Sequence, residues 1–241
     1  MNRTLCAIVA MMLFPLIVVA QPSVDFDTKM REYNLIDIQT MEGGEDIIVE
    51  LKYSTTDNFV NKDMYGSLTK AYLQPDIARK VIRAQQILRQ RNPQLTLLIY
   101  DAARPISVQR YMRSLVEGTK FQSFVADGTK GGRHNYGVAV DLTIATNAGE
   151  PLDMGAGFDD FSDKAAVKGT SDTNDAANRN MEVYKEYVNK LPISVEAKRN
   201  RLMLIEIMLE AGLYPYRREW WHFEELETMS EVRSKRRLLD F

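Results

Sequence analysis

Apolar and polar positions along this 241-residue chain change their period several times, and each change marks an element. The run Asp46–Tyr53 (DIIVELKY) is apolar and β-branched, which predicts a first strand followed by a loop over Ser54–Tyr65. Pro75 stands in the first turn of a helix whose residues Ile77, Val81, Ala84 and Leu88 recur at helical spacing until Asn92-Pro93 stops it. Leu95–Tyr100 (LTLLIY) reads as a buried strand. Asp101-Ala102-Ala103-Arg104-Pro105 then turns the chain into a helix through Val108, Met112 and Leu115, so Arg104 sits at a strand end. Gly118–Gly132 is rich in Gly, Lys, Ser and Asp and predicts a loop. Val138–Ile144 (VAVDLTI) predicts a strand with Ala139, Asp141 and Thr143 on one face, an unusual place for an acid. Asp159–Pro192 is polar, with one amphipathic stretch near Met181–Val188, and reads as a surface excursion. Glu196–Ala211 is a helix with Leu202, Ile205 and Leu209 on its apolar stripe and Gly212 as C-cap, and Glu219–Phe223 (EWWHF) is a last, aromatic strand. Without a repeating βαβ pattern or a Gly-rich phosphate loop, these elements predict an α+β fold, a single domain with a central, mainly antiparallel sheet flanked by helices.

Residues 1–20 stand apart from that pattern. Arg3 supplies a positive start, Leu5–Val19 an apolar stretch too short for a membrane span, and Val18-Val19-Ala20 a small-residue cleavage site. They are expected to form an export signal, leaving residues 21–241 as one domain that is exported, periplasmic or otherwise, and holds no stable membrane anchor. The single cysteine, Cys6, falls within the signal, so the mature domain has neither disulfides nor thiolate metal ligands and must rest on its core or on a metal. Loss of Arg3 takes the formal charge from −2 to −3, which leaves no electrostatic footprint for nucleic acid or an anionic membrane. A small or neutral partner is expected. The basic run Arg233–Arg237 reads as a solvated terminal helix face.

Only two histidines occur, His134 and His222. A catalytic zinc takes three protein ligands and leaves a fourth position open, so two His and one Asp suffice. In GRHNYGVAVD, Gly137 could bend the backbone so that His134 and Asp141 meet at one ion. A loop histidine bonded to nearby backbone and a buried acid paired with an arginine account for these residues equally well. Glu219 and His222 in EWWHF lie three apart, and on a regular strand they would face opposite sides. They reach one point only if Glu219 precedes the strand in a turn or bulge, for which Tyr214-Pro215-Tyr216 offers an irregular entry. An aromatic core strand with an exposed Glu is the alternative there.

His134–Thr143 (HNYGVAVDLT) and Glu219–Glu224 (EWWHFE) resemble the two zinc-binding motifs of the D-alanyl-D-alanine dipeptidases, relatives of the zinc D,D-carboxypeptidases. Leu51–Phe59, Asp101–Pro105, Leu152–Gly155 with Phe158-Asp159, and Asn200-Arg201 through Gly212 resemble further segments in family order, so the likeness spans nearly the whole mature chain. The resemblance implies one zinc ion per chain on His134, Asp141 and His222, and Glu219 as general base. It implies Arg104 as the arginine that stabilises the transition state and Asp159 as the acid receiving the substrate's amino group. Its implied reaction splits D-alanyl-D-alanine into two D-alanines by zinc-activated water. Asp160 could serve the amine equally well. One departure is Gly132, where the family usually has a serine two residues before the first histidine. Two other functions fit the same motifs: a zinc D,D-carboxypeptidase acting on peptidoglycan stem peptides, and an inactive zinc-stabilised binding domain.

Overall fold

A computed structural model describes residues 25–167 and 179–241. The expected export signal at residues 1–20 lies outside the described residues. The helices are α1 (Phe26–Glu32), α2 (Pro75–Arg91), α3 (Ile106–Val116), α4 (Met181–Lys190), α5 (Val195–Ala211) and α6 (Met229–Lys235). The strands are β1 (Ile36–Asp37), β2 (Ile48–Val49), β3 (Tyr72–Leu73), β4 (Leu95–Asp101), β5 (Ala139–Thr146), β6 (Tyr214–Pro215) and β7 (His222–Glu224). Strands β1 and β3 form a small antiparallel pair, while the main sheet runs β2-β4-β5-β7-β6 with only β2/β4 parallel. This is the α+β domain with a mainly antiparallel sheet that the sequence predicts.

The sheet is anchored by β4 and β5, buried on both faces over almost their whole length. All four stripe residues expected on α2 are buried against it, and Asn92 closes the helix by donating its backbone N–H to Leu88. Helix α5 packs beside α2 and carries α4 on its outer side. Ser194 caps its start, accepting from Ala197 N, and Gly212 ends it in the left-handed conformation at φ +82°.

Four expectations need correction. Only Ile48–Val49 of the predicted Asp46–Tyr53 strand pairs with β4, because Lys52–Ser54 turns into a 3₁₀ helix that swings the Tyr53 ring inward. The stripe on α5 runs through Leu204, Ile205, Ile207 and Met208, with Leu202 and Leu209 only half-buried, since α2, α4 and the sheet cover this helix on several sides. The Asp159–Pro192 stretch is not merely a surface excursion, because Tyr184 and Val188 of α4 are completely buried against α5. Nor is Arg233–Arg237 simply a solvated face. Arg236 bonds Asp76 at the start of α2, and the Arg237 guanidinium lies 3.9 Å from the centre of the Tyr33 ring.

Register decides what faces the site. Asp141 on β5 pairs with His222 on β7 on one side and with Asp101 on β4 on the other, where the ladder shifts between Ile99 and Asp101. Directly opposed residues of antiparallel strands point to one face, so all three side chains emerge together. His134 approaches from a 3₁₀ turn, Arg133–Tyr136, closed by Gly137 at φ +67°. Gly137 N donates to His134 O, and its carbonyl accepts from Gln74 N at 2.9 Å. A Cβ there would stand 2.8 Å from Leu35 Cδ2 in a conformation that L side chains avoid. Gly137→Ala should therefore lower unfolding free energy by about 1–2 kcal/mol, the cost of a left-handed residue, measured by urea denaturation. An unchanged midpoint would show that this turn is not fixed by its glycine.

Candidate active site

Three donor atoms, from His134, Asp141 and His222, lie within 4.8 Å of one another. His134 Nε2 is 3.3 Å from Asp141 Oδ1, His222 Nδ1 is 3.0 Å from the same oxygen, and the two ring nitrogens are 3.1 Å apart. The far side of each ring fixes its tautomer. His134 Nδ1 lies 2.7 Å from the Ala102 carbonyl, and His222 Nε2 lies 3.0 Å from Glu224 Oε2. Both partners are acceptors, so both outer nitrogens carry protons, and the neutral rings turn their lone pairs onto Asp141 Oδ1. Three acceptors facing one point repel unless a positive charge sits between them. Tetrahedral ligands about 2.0–2.1 Å from a zinc ion stand roughly 3.3 Å apart, close to the spacing found here. The residues present therefore fit a metal ion of that size.

Without a metal a proton takes that role. Burial opposes charge on His222, but its hydrogen bonds to Asp141 and Glu224 prevail and raise its pKa to about 10. Asp141 is held well below the usual carboxylate range, because the His134 charge and the bonds from both histidines outweigh its burial.

Glu219, expected as the first residue of the last strand, lies instead in the turn before β7, the placement that a shared ion would require, because the strand begins only at His222. Its N–H donates to Tyr216 O, and its carbonyl accepts from His222 N. That turn brings Glu219 Oε2 to 4.0 Å from His222 Nδ1. Burial raises the Glu219 carboxyl to about 7, with Asp141 adding to the rise and the His222 charge opposing it.

Arg104 follows β4 and is nearly fully buried. Its Nε donates to Asp101 Oδ2 at 3.1 Å, its Nη2 reaches the same oxygen, and its Nη1 donates to Gln109 Oε1 at 2.9 Å. Its guanidinium carbon lies 4.9 Å from the centre of the Tyr53 ring. One Nη2 proton remains without a partner among the described residues. Asp101 in turn accepts the Tyr65 hydroxyl at 2.6 Å.

Asp159 faces the cavity from a loop, at a left-handed φ of +60°. It accepts from the Tyr53 hydroxyl at 3.1 Å and 3.2 Å. Burial, reinforced by the charge of Asp141, raises its pKa well above normal, against the pull of the Tyr53 bond. Asp160 instead caps a turn by accepting from Ser162 N and is not part of the wall. All six predicted residues thus line one cavity of about 470 Å³.

Sequence reasoning missed the residues that hold these six. Glu224 bonds His222 and takes Arg133 Nε at 2.7 Å, a buried pair whose signal was the alternation H-x-E on a strand. Tyr53, Asp101 and Tyr65 carried no signal beyond their neighbourhoods, because their partners are distant in sequence.

A buried cluster of convergent metal ligands with a nearby acid of raised pKa, on an α+β domain, defines a metal-dependent hydrolase class. A sequence profile described as D-ala-D-ala dipeptidase matches residues 31–241. The D-alanyl-D-alanine dipeptidase of Escherichia coli K12 is 32% identical over 179 residues, covering 74% of this chain and 79% of the relative. The enzyme of the same name from Synechocystis is 24% identical over 190 residues, covering 67% of this chain and 72% of the relative. The chain belongs to the D-Ala-D-Ala dipeptidase family of peptidases.

The raised Glu219 pKa makes a claim about stability. A carboxyl raised on folding contributes stability that is complete below its unfolded value of 4.5 and is lost as pH rises through about 7. In the metal-free protein, Glu219→Gln should therefore stabilise the fold at pH 8 by on the order of 3 kcal/mol and change little near pH 4.5, read from denaturation midpoints. A gain of equal size at both pH values would show that ionisation is not its source.

Proposed function

We propose that this protein is a zinc dipeptidase that hydrolyses D-alanyl-D-alanine to two D-alanines. The observation that carries the reading is the convergence of three lone-pair donors, two of them fixed in tautomer from behind, with the half-buried acid Glu219 standing 4.0 Å from His222 Nδ1. His134, Asp141 and His222 would hold one zinc ion, which supplies Lewis-acid polarisation and lowers the pKa of water from about 16 to roughly 7. The names of the relatives supply the substrate.

The chain's own residues divide the remaining work. Glu219, near neutral in its proton affinity, accepts a proton from the attacking water and returns it to the leaving nitrogen. Arg104 directs its spare Nη2 proton at the carbonyl oxygen as negative charge builds there, a contribution of about 3–4 kcal/mol for one such donor. Asp101 and Gln109 keep that guanidinium from swinging away. Asp159 receives the substrate's ammonium group. Burial raises the proton affinity of Asp159, and a cation beside it favours the carboxylate. Tyr53 holds that carboxylate at the cavity wall.

Residues 1–20 are further proposed to direct export to the periplasm, on their charge and apolar pattern alone. Among the described residues no helix is long and apolar enough to cross a membrane. N-terminal sequencing of protein recovered from cells should begin at Gln21, and an intact Met1 would refute the export.

One assay panel tests the chemistry: free dipeptide, its N-acylated form and a stem pentapeptide against parent, Glu219→Ala and Asp159→Ala proteins. The parent should cleave the dipeptide best, whereas cleavage of the pentapeptide alone would make it a D,D-carboxypeptidase. Glu219→Ala should lose at least about 100-fold in kcat while retaining one zinc by elemental analysis. Near-normal turnover would remove Glu219 from the mechanism, and a parent without turnover would leave a zinc-stabilised binding domain. Asp159→Ala should raise KM for the free dipeptide far more than for the N-acylated form. Equal effects would remove its amine-binding role.

A further inference from the structure

A dipeptide is a zwitterion, and the assignments so far answer only one of its two charges. Its carboxylate needs a cation, and three arginines line the cavity: Arg104, Arg133 and Arg218. Two are already engaged. Arg104 spends both its Nε and Nη2 on Asp101 and its Nη1 on Gln109. Arg133 is paired through Nε with Glu224 and gives Nη2 to the Glu227 carbonyl, and its Nη1 is buried without access to solvent.

Arg218 differs from both. It is half-buried and makes no ion pair or hydrogen bond among the described residues. Its recorded contact is with a ring, the guanidinium carbon standing 4.1 Å from the centre of Phe124. Phe124 is itself fixed from its other neighbour, stacked on Phe161 with centroids 4.5 Å apart. Stacking leaves the edge of a guanidinium, with its fork of N–H donors, free to meet a carboxylate. The cavity it lines also carries the neutral side chains of Ser123 and Tyr216, and among the described residues no acid forms an ion pair with it.

Position in the chain agrees with the chemistry. Arg218 is the residue immediately before Glu219, at the turn entering β7. The leaving nitrogen, to which Glu219 returns its proton, is one carbon removed from the dipeptide's carboxylate. The cation that reads this carboxylate must therefore lie on the Glu219 side of the cavity, away from the site that reads the amine.

We propose that Arg218 binds the C-terminal carboxylate of the substrate and so makes the enzyme selective for a free acid at that end. This rests on the dipeptidase reading and deepens it. Binding energy of this kind is present in ground state and transition state alike, so it sets KM rather than kcat.

The test compares D-alanyl-D-alanine with its C-terminal amide on zinc-loaded parent, Arg218→Ala, Arg218→Gln and Arg218→Lys proteins. KM is measured for each compound, or Ki where the amide only competes. Loss of a partly exposed charge-assisted bond predicts that Arg218→Ala and Arg218→Gln raise KM for the acid roughly 10-fold, with kcat changed by less than about 2-fold. The amide's constant should move by less than about 2-fold, and Arg218→Lys should recover part of the loss. Gln keeps a long polar side chain over Phe124, so agreement between Ala and Gln assigns the loss to charge rather than to packing. Acid and amide weakened equally, or an acid KM that stays at the parent value, would overturn the assignment. A parent that hydrolyses no dipeptide would overturn the dipeptidase reading, and this inference with it.

Discussion

The whole site depends on one electrostatic constraint: a carboxylate oxygen and two imidazole lone pairs are held within about hydrogen-bonding distance of each other and need a positive charge among them. Everything around them keeps that demand in place. The β5/β7 register sets Asp141 directly across from His222, the glycine-closed turn delivers His134, and the Ala102 carbonyl and Glu224 fix which ring nitrogen is bare. A proton and a metal ion compete for the same position. Metal binding at this site is therefore coupled to proton release, and affinity must fall as the pH falls.

The residues behind the ligands answer a further difficulty, that so many acids are buried together. Asp101, Asp141 and Glu224 are almost inaccessible, yet each faces a cationic or donor partner: Arg104 and Tyr65 for Asp101, the histidines for Asp141, Arg133 for Glu224. Burying charge is costly unless it is paired and hydrogen-bonded, and here the pairing is complete for these three. It is incomplete for Glu219 and Asp159, whose pKa values burial drives upward. The two acids left without full compensation are the two to which proton transfer and amine binding are assigned. Perturbed groups of this kind concentrate at functional sites.

How much of this was legible in the sequence depended on whether the determining contact was local. Helix α2, strand β4 and strand β5 were readable because apolar spacing and caps are local properties. The last strand was read three residues too early, from Glu219 instead of His222, and only the condition that both side chains reach one ion pointed to Glu219 preceding it. Strand β2 was overestimated because a run of β-branched residues cannot reveal that Lys52–Ser54 turns inward to place Tyr53 on Asp159, more than a hundred positions away. The burial of Tyr184 was missed for the same reason, since the surface covering it belongs to α5. Arg236 looked like one charge in a basic run because its partner, Asp76, lies 160 positions away in sequence.

Selectivity for a short substrate follows, on the proposed reading, from where the charges stand rather than from cavity size. Longer peptides could enter a cavity of about 470 Å³ with an open mouth, so volume alone does not exclude them. A carboxyl at Asp159 favours a cation next to the scissile bond, which only a free amino terminus one residue away supplies. An internal peptide presents an uncharged amide there and would leave Asp159 buried without a counter-charge, a penalty on the order of 1–3 kcal/mol for an unsatisfied polar group. The same logic applies to an amidated carboxyl end facing Arg218. A site that recognises both ends by charge thus rejects longer chains through the desolvated groups they fail to neutralise.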